Sequence, residues 1–290
     1  MQRLKNSRLM LILSMAIFGT LAPFVRNISV SSGELALYRA ILAALLILVV
    51  FAVTKQHINF KAIRKELPLL LLSGIAMGFN WILLFEAYKY TTVAVATLSY
   101  YFAPVIVTIV CPFLFRERLT TKQILCFVFS TVGLALVIGV TDLGKGSSDL
   151  TGIAFGLGAA VLYATVILLN KFIKGVAGMQ RTFLQFLAAI VVLIPYVACT
   201  GGVTLGGMGG KGWICLLVVG LIHTGFAYIL YFSALKDMPG QEAAILSYVD
   251  PLVAVVISVT ILGEAMTVTQ VIGGILILGF TLWNEINPKH

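Results

Sequence analysis

The sequence predicts an all-α integral membrane protein in which ten transmembrane helices form two inverted five-helix repeats. Three observations lead to this fold class: the composition, an internal duplication and the placement of the basic residues. Hydrophobic residues make up 60% of the 290 residues and charged residues only 11%, whereas a soluble domain has roughly 25% charged residues. So few charges cannot cover the surface of a soluble protein of this length, and a lipid bilayer is therefore the expected solvent.

The internal duplication is visible without any gap in the alignment. Residues 75–123 recur at residues 222–270, where 14 of 49 positions are identical at a constant offset of 147. The identical pairs include polar and special residues: Lys89/Lys236, Tyr101/Tyr248, Pro104/Pro251, Glu117/Glu264, Thr120/Thr267 and Gln123/Gln270. Apolar composition alone does not bring these residue types into one register, so the chain is interpreted as two copies, residues 1–143 and 144–290.

Apolar stretches long enough to cross a bilayer predict ten spans, five in each copy. They cover residues of about 8–25, 34–53, 67–87, 92–115, 121–140, 151–170, 179–199, 212–234, 241–262 and 267–284. The connections between them are short, so no soluble domain is expected.

The basic residues predict how the spans are oriented. If the N-terminus is cytoplasmic, 15 Lys and Arg residues lie in inside segments and four lie outside, namely Arg26, Lys89, Lys145 and Lys211. This asymmetry predicts that both ends of the chain are cytoplasmic. Because five spans per copy is an odd number, the second copy must enter the membrane from the opposite side. Two inverted copies around a midplane site are the architecture that permits alternating access.

Several function classes are excluded by the same sequence. The net charge of +9 does not indicate nucleic acid, because the basic residues lie in short loops between apolar segments. No P-loop, zinc-protease or nucleophile-elbow motif is present, so neither ATP hydrolysis nor a cofactor is expected. The four cysteines show no metal-ligand spacing and are interpreted as small apolar residues (Cys111, Cys126, Cys199 and Cys215).

Two motif copies carry a family resemblance. Pro104 is followed by Arg116-Glu117, Thr120 and Gln123, and Asp250-Pro251 is followed by Gly263-Glu264, Thr267, Gln270 and Gly273-Gly274. With these motifs the chain resembles the EamA-type branch of the drug/metabolite transporter superfamily. The first copy departs from the family pattern, with Arg116 where Gly is usual and Ala103 before its proline. The resemblance implies export or exchange of small metabolites, often amino acids or related compounds, across a bacterial inner membrane.

Seven side chains inside the predicted spans are candidate substrate-binding residues: Arg39, Asn80, Trp81, Tyr101, His223, Tyr248 and Asp250. A carboxylate at the position of Asp250 costs about 2.5–3.5 kcal/mol on insertion scales, which makes it a functional candidate. It binds substrate or a proton, or it caps a turn broken by Pro251. Tyr101 and Tyr248 lie one turn before their prolines, and we expect them to face each other across a cavity; an interhelical hydrogen bond is the alternative.

Three of the other four candidates also have a second interpretation. Arg39 either holds a substrate carboxylate through two parallel hydrogen bonds or pairs with Glu34 or Glu86. We expect Asn80 and Trp81 to line a cavity, where an indole suits an apolar or aromatic substrate, and a position of Trp81 near lipid is the alternative. His223 either exchanges a proton or fills a packing position.

The motif acids have a structural interpretation instead. We expect Glu117 and Glu264 to stabilise the starts of the helices capped by Thr120 and Thr267.

The functional prediction is a secondary transporter, not an enzyme, that exports small amphipathic or aromatic metabolites such as amino acids. Its partners would be a small-molecule substrate, lipid and, as an open question, protons; monomer and homodimer are both open. The alternatives are an importer or exchanger of an organic cation or nucleotide-sugar-like solute, an integral membrane enzyme acting on lipid, and an accessory subunit.

Overall fold

A computed structural model describes residues 2–55, 60–115, 120–138, 148–176, 178–235, 243 and 246–286. This part of the chain is helical, with no β-strand among the residues described. The helices are α1 Gln2–Gly19, α2 Leu21–Val25, α3 Ser32–Thr54, α4 Phe60–Tyr90, α5 Val93–Tyr100, α6 Ala103–Phe115, α7 Thr121–Ile138, α8 Ser148–Phe172, α9 Gly178–Cys199, α10 Gly210–Leu217, α11 Ala227–Leu235, α12 Val249–Thr260 and α13 Val268–Glu285. A π-helical segment, Val218–Phe226, joins α10 to α11, and a 3₁₀ turn, Leu205–Gly207, precedes α10.

Seven helical segments in the described chain are long and apolar enough to cross a membrane, by length and composition. They are Asn6–Val25, Ser32–Thr54, Ile63–Tyr90, Val93–Val110, Asp149–Phe172, Gly178–Cys199 and Gly210–Leu235. Three shorter apolar helices, Thr121–Val137, Val249–Thr260 and Val268–Asn284, occupy the positions of the fifth, ninth and tenth predicted spans. The integral membrane class predicted from the sequence is therefore confirmed, whereas ten complete crossings stay a prediction.

The sequence explains where several helices begin. Ser31 and Glu34 form a reciprocal capping box, in which the Ser31 hydroxyl accepts the N–H of Glu34 and the Glu34 carboxylate accepts the N–H of Ser31. Thr267 and Gln270 form the same box at α13. Thr120 and Gln123 repeat it at α7, so the predicted caps are confirmed in both copies.

The helices pack into one bundle whose contacts link the two halves of the chain. Helix α4 lies against α8 and α9, and α11 lies against α1. Helix α3 contacts both α9 and the π-helical segment, α13 lies along α7, and α12 contacts α1 and α5. At the crossing of α4 and α9, a Cβ added to Gly74 would meet the Gln185 carbonyl oxygen at 2.6 Å. Small residues therefore set the helix spacing, as expected where lipid supplies no hydrophobic driving force between helices.

Polar contacts tie together loops that the topology prediction places on one side of the membrane. At the end predicted to face outward, called the outer end below, Arg26 pairs with Glu264, and the N–H of Thr204 donates to Glu34. At the opposite end, Glu66 accepts the backbone N–H groups of Lys174 and Gly175 at 2.9 and 2.8 Å. These contacts agree with the predicted alternation of loops between two sides.

Candidate functional site

In both halves of the chain a turn lies at the tyrosine of the repeated motif. The span predicted over residues 92–115 is not one helix: α5 ends at Tyr100, Tyr101 and Phe102 form a turn, and α6 begins at Ala103. In the second copy, Ser247 and Tyr248 form the turn before α12. The cause is the proline that follows, because its ring excludes the carbonyl four residues earlier and it has no N–H to donate. The span predicted over residues 92–115 is therefore interrupted by a turn, while Val93–Val110 is still long and apolar enough to cross a membrane.

A hydrogen bond joins the turn of the first half to the start of α12 in the second half. The Tyr101 hydroxyl donates to Oδ2 of Asp250 at 2.6 Å, across 149 residues of sequence. Asp250 lies in the first turn of α12, where a negative charge is favoured by the exposed N–H groups and the helix dipole. Helix α1 approaches closely, because a Cβ added to Gly19 would meet the Asp250 carbonyl oxygen at 2.6 Å. The first copy therefore supplies the donor, and the second copy supplies the carboxylate.

Arg39 is buried, with 3% of its surface exposed. Its Nε donates to the Thr224 hydroxyl at 3.0 Å, and its guanidinium carbon lies 4.5 Å from the centre of the Trp81 ring and 5.3 Å from that of Phe85. Contacts of this kind stabilise a desolvated cation by about 2 kcal/mol.

The alternative prediction for Arg39, an ion pair with Glu34 or Glu86, is wrong. The oxygens of Glu34 accept hydrogen bonds from Ser31, Tyr38 and Thr204. Glu86 pairs with Lys89 at 2.9 Å, three residues further along the same helix. Both acids are therefore satisfied at the outer end, whereas the guanidinium lies among aromatic rings.

His223 lies in the π-helical segment and is also buried. One ring nitrogen, Nε2, lies 3.1 Å from the Thr20 hydroxyl, and the other, Nδ1, lies 3.3 Å from the Val218 carbonyl oxygen. The ring also packs against Phe24 at a centroid distance of 4.8 Å. These contacts connect the π-helical segment to the end of the first span. The position is notable because π-helical turns occur frequently at functional sites.

Asn80, Trp81 and Tyr248 are buried in this conformation. The Asn80 amide donates to the Ala159 carbonyl oxygen at 2.6 Å, so it bridges α4 and α8. Trp81 packs edge-on against Phe186 at 5.5 Å. Tyr228, the equivalent of Trp81 in the second copy, contacts the same Phe186 ring at 5.5 Å.

The structure thus brings five of the seven predicted residues, all but Asn80 and Tyr248, into two clusters. One cluster consists of Arg39 and Trp81, and Thr224 connects it to the π-helical segment that contains His223. Tyr101 and Asp250 form the other. The two described cavities lie at the outer end: one of about 430 Å³ is lined by Arg26, Tyr88, Lys89, Tyr90, Thr91, Thr92, Asp149 and Glu264, and one of about 300 Å³ shares Tyr88 and Arg26 with it.

A family model, described as the EamA-like transporter family, matches residues 6–139 and again residues 150–284. The chain belongs to the EamA-like transporter family. The resemblance inferred from the motifs is thereby confirmed, and the two matches fall one on each half of the chain. Because this family and the relatives below are transporters, the membrane-enzyme alternative is set aside.

Several relatives of this EamA-like chain are known. It is 29% identical over 272 residues to a protein of Bacillus subtilis described as the uncharacterized transporter YxxF, covering 92% of this chain and 85% of that one. It is 25% identical over 231 residues to the threonine/homoserine exporter RhtA of Salmonella typhimurium, covering 78% of this chain and 73% of that one. A solved crystal structure aligns with a TM-score of 0.67 at 17% identity over 95% of both chains, which shows a shared fold.

Sequence reasoning missed several residues of this EamA-like site. Thr224 is not among the residues that the sequence indicates, although a threonine next to His223 inside an apolar span is an unusual polar residue. Tyr163, which stacks on Tyr100 at 5.2 Å, gave no motif signal. Glu264 was assigned to the start of its own α13, but it accepts the backbone N–H of Val93 at the start of α5. Glu264 therefore stabilises the start of α5 and not that of α13, so the predicted partner is wrong. Glu117 lies outside the described residues.

Proposed function

We propose that this EamA-like protein is a secondary transporter that exports small amphipathic metabolites, amino acids above all, by alternating access. Its two copies, residues 1–143 and 144–290, would be inverted relative to each other, with ten crossings and both ends in the cytoplasm. The membrane would be a bacterial inner membrane. Export is proposed because one relative carries the name of a threonine/homoserine exporter.

The inverted arrangement is supported by paired packing contacts. Gly78 of α4 packs against Ala189 of α9, where an added Cβ would lie 3.3 Å from the alanine Cβ. Gly225, the sequence equivalent of Gly78, packs against Ala43 and Leu46 of α3. Ala43-Ala44 matches Ala188-Ala189 at an offset of 145, so the two contacts fall on equivalent helices within one residue of register. A two-fold relation between the copies produces reciprocal contacts of this kind, and a pair of inverted halves can rock about a site between them.

The single observation that carries the substrate class is the environment of Arg39. Its guanidinium is buried, and in the described part of the chain its one hydrogen-bond partner is Thr224, through Nε. A buried cation is costly without a partner of opposite charge. A guanidinium offers two further nitrogens in a planar fork that matches a carboxylate. We therefore assign Arg39 to the substrate carboxylate and the surrounding Trp81 and Phe85 rings to an apolar side chain.

The remaining candidates receive their roles from their positions. The Tyr101–Asp250 pair at the two turns is proposed to receive the substrate ammonium group or a proton, as discontinuous helices do in other inverted-repeat transporters. Tyr248, at the second turn, is proposed to line the same route. Asn80 and His223 would line it at α4 and at the π-helical segment, where their present contacts hold neighbouring helices together.

The test uses ligand pairs that differ only in the carboxylate. In a thermal unfolding assay, L-phenylalanine and L-threonine should raise the melting temperature, because a ligand that binds the folded state stabilises it by mass action. The matched amine 2-phenylethylamine, which lacks the carboxylate, should have much less effect. Arg39→Lys keeps the charge but loses the planar fork, and the advantage of the acid over the amine should shrink by about tenfold in affinity, or 1.4 kcal/mol.

Direction is tested separately, with proteoliposomes loaded with the stabilising amino acid. Efflux without chemical change supports the proposal, and a stronger response to the amine than to the amino acid would contradict the assignment of Arg39. If efflux by the parent depends on a pH gradient and efflux by Asp250→Asn does not, transport is coupled to protons. If efflux by the parent is independent of the gradient, transport is facilitated diffusion.

A further inference from the structure

The outer end of the bundle contains a carboxylate with three partners on separate segments. Glu264, in the turn between α12 and α13, forms an ion pair through Oε1 with Arg26 at 2.5 Å. Its other oxygen accepts the backbone N–H of Val93 at 2.9 Å and also the hydroxyl of Ser258. Ser258 in turn accepts the backbone N–H of Ala94 at 3.2 Å. One side chain of the second copy therefore binds the end of the first span and the start of α5 in the first copy.

These contacts satisfy groups that would otherwise lack partners. The first backbone N–H groups of a helix have no partner inside that helix, and Glu264 with Ser258 accepts two of them at α5. A negative charge there is also favoured by the helix dipole. The Glu264 side chain is only 10% exposed and Arg26 is 33% exposed. By contrast, Glu86 and Lys89 form an exposed pair within one helix, which exposure and flexibility make weak.

Helices α5 and α12 are consequently joined at two points. At the outer point, the N–H groups of Val93 and Ala94 bind Glu264 and Ser258. At the inner point, Tyr101 binds Asp250. Eight residues at 1.5 Å each make α5 about 12 Å long, so the outer contact lies one short rigid helix away from the candidate site. Parting of α5 from α12 on this side must break the outer contact first.

We propose that Glu264 is a positioning residue that keeps the outer end closed, and that its release from Arg26 and Val93 opens the substrate route on that side. This inference rests on the proposed transport function for its purpose. Its test does not, because it measures access and not transport.

The experiment places one cysteine between the two contacts. Thr97 lies on α5, four residues after Val93 and four before Tyr101, and is 4% exposed. In a background in which the four native cysteines are alanine, Thr97→Cys reports whether α5 and α12 have separated. The readout is the rate of reaction with a membrane-impermeant maleimide, measured from each side in intact cells and in inverted vesicles.

Glu264→Gln should raise the labelling rate from one side by at least about tenfold, which corresponds to about 1.4 kcal/mol. The side should be the one from which a cysteine at position 268 reacts. The matched control Glu86→Gln, which breaks the exposed pair, should leave the rate unchanged. Glu264→Asp should restore part of the closure. Arg26→Gln keeps the contact with Val93 and should give an intermediate increase.

The proposal would be overturned if Glu264→Gln and its parent had equal labelling rates and equal melting temperatures. It would also be overturned if Glu86→Gln raised the labelling rate as much as Glu264→Gln does. If Glu264→Gln does not fold, Arg26→Gln decides alone, and no increase there rejects the inference. Failure of every amino acid to bind would contradict the proposed function but leave the labelling result intact. Normal amino acid binding with no change in labelling would reject only the role of Glu264.

Discussion

The hydrogen bond between Tyr101 and Asp250 is the contact whose removal gives the clearest energetic prediction. At 2.6 Å it falls in the short range of charge-assisted O–H···O⁻ bonds. Hydrogen bonds to charged groups contribute about 1.5–3 kcal/mol. Tyr101→Phe removes the donor and leaves the carboxylate without it, so the free energy of unfolding should fall by about 2 kcal/mol. At roughly 2 °C per kcal/mol for a chain of this size, the melting temperature should drop by about 4 °C.

Asp250→Asn tests the other side of the same bond. An amide oxygen still accepts a hydrogen bond from Tyr101 but carries no charge, so the free energy of unfolding should fall by about 1 kcal/mol. In the double variant the bond can be lost only once, and the combined cost should fall short of the sum by about 1 kcal/mol. Tyr163→Phe is a suitable control, because its ring stacks on Tyr100 and it removes a hydroxyl near the same helix.

The assay is thermal unfolding of the purified protein in detergent for the parent, both single variants, the double variant and the control. Strict additivity of Tyr101→Phe and Asp250→Asn would refute the reasoning, because it would mean that the two side chains do not interact. A loss in Tyr163→Phe as large as in Tyr101→Phe would refute it as well.

Two further predictions concern packing and the buried cation. Gly74→Ala should lower the free energy of unfolding by about 1–3 kcal/mol, because the new Cβ meets the backbone of the facing helix at 2.6 Å. The control is Gly158→Ala, whose nearest contact is the end of a leucine side chain at 3.1 Å, and it should be neutral or stabilising. Equal effects of the two variants in thermal unfolding would contradict this prediction. Thr224→Val should lower the free energy of unfolding by about 1.5–3 kcal/mol, because it removes the hydrogen-bond partner of Arg39. A melting temperature equal to that of the parent would show that this bond does not stabilise the protein.

Features that depend on neighbouring residues of the chain could be predicted from the sequence. Thr267 predicts a helix N-cap, and the structure shows that cap, which Gln270 completes as a capping box. Thr120 predicts the cap of α7 in the same way, and in the structure Gln123 completes it. Apolar length likewise predicted the membrane class.

Long-range partners were not predictable in the same way. We expect the carboxylate of Glu264 near its own helix, but apart from Ser258 its partners are distant in sequence: Val93 is 171 residues away, and Arg26 is further still. Spacing along one helix cannot indicate which other helix it faces. The break at Tyr101 had a local signal in Pro104, but proline is also tolerated in the first turn of a new helix, so the signal did not decide between a kink and a stop.

The inversion of the two copies is tested most directly by the side of the membrane from which equivalent residues can be labelled. Thr121 and Val268 occupy equivalent first positions of α7 and α13, and both are exposed. Single cysteines at the two positions should react with an impermeant maleimide from opposite sides: Val268→Cys in intact cells, and Thr121→Cys only after permeabilisation. Reaction of both cysteines from the same side would contradict the inverted repeat and, with it, the proposed alternating access.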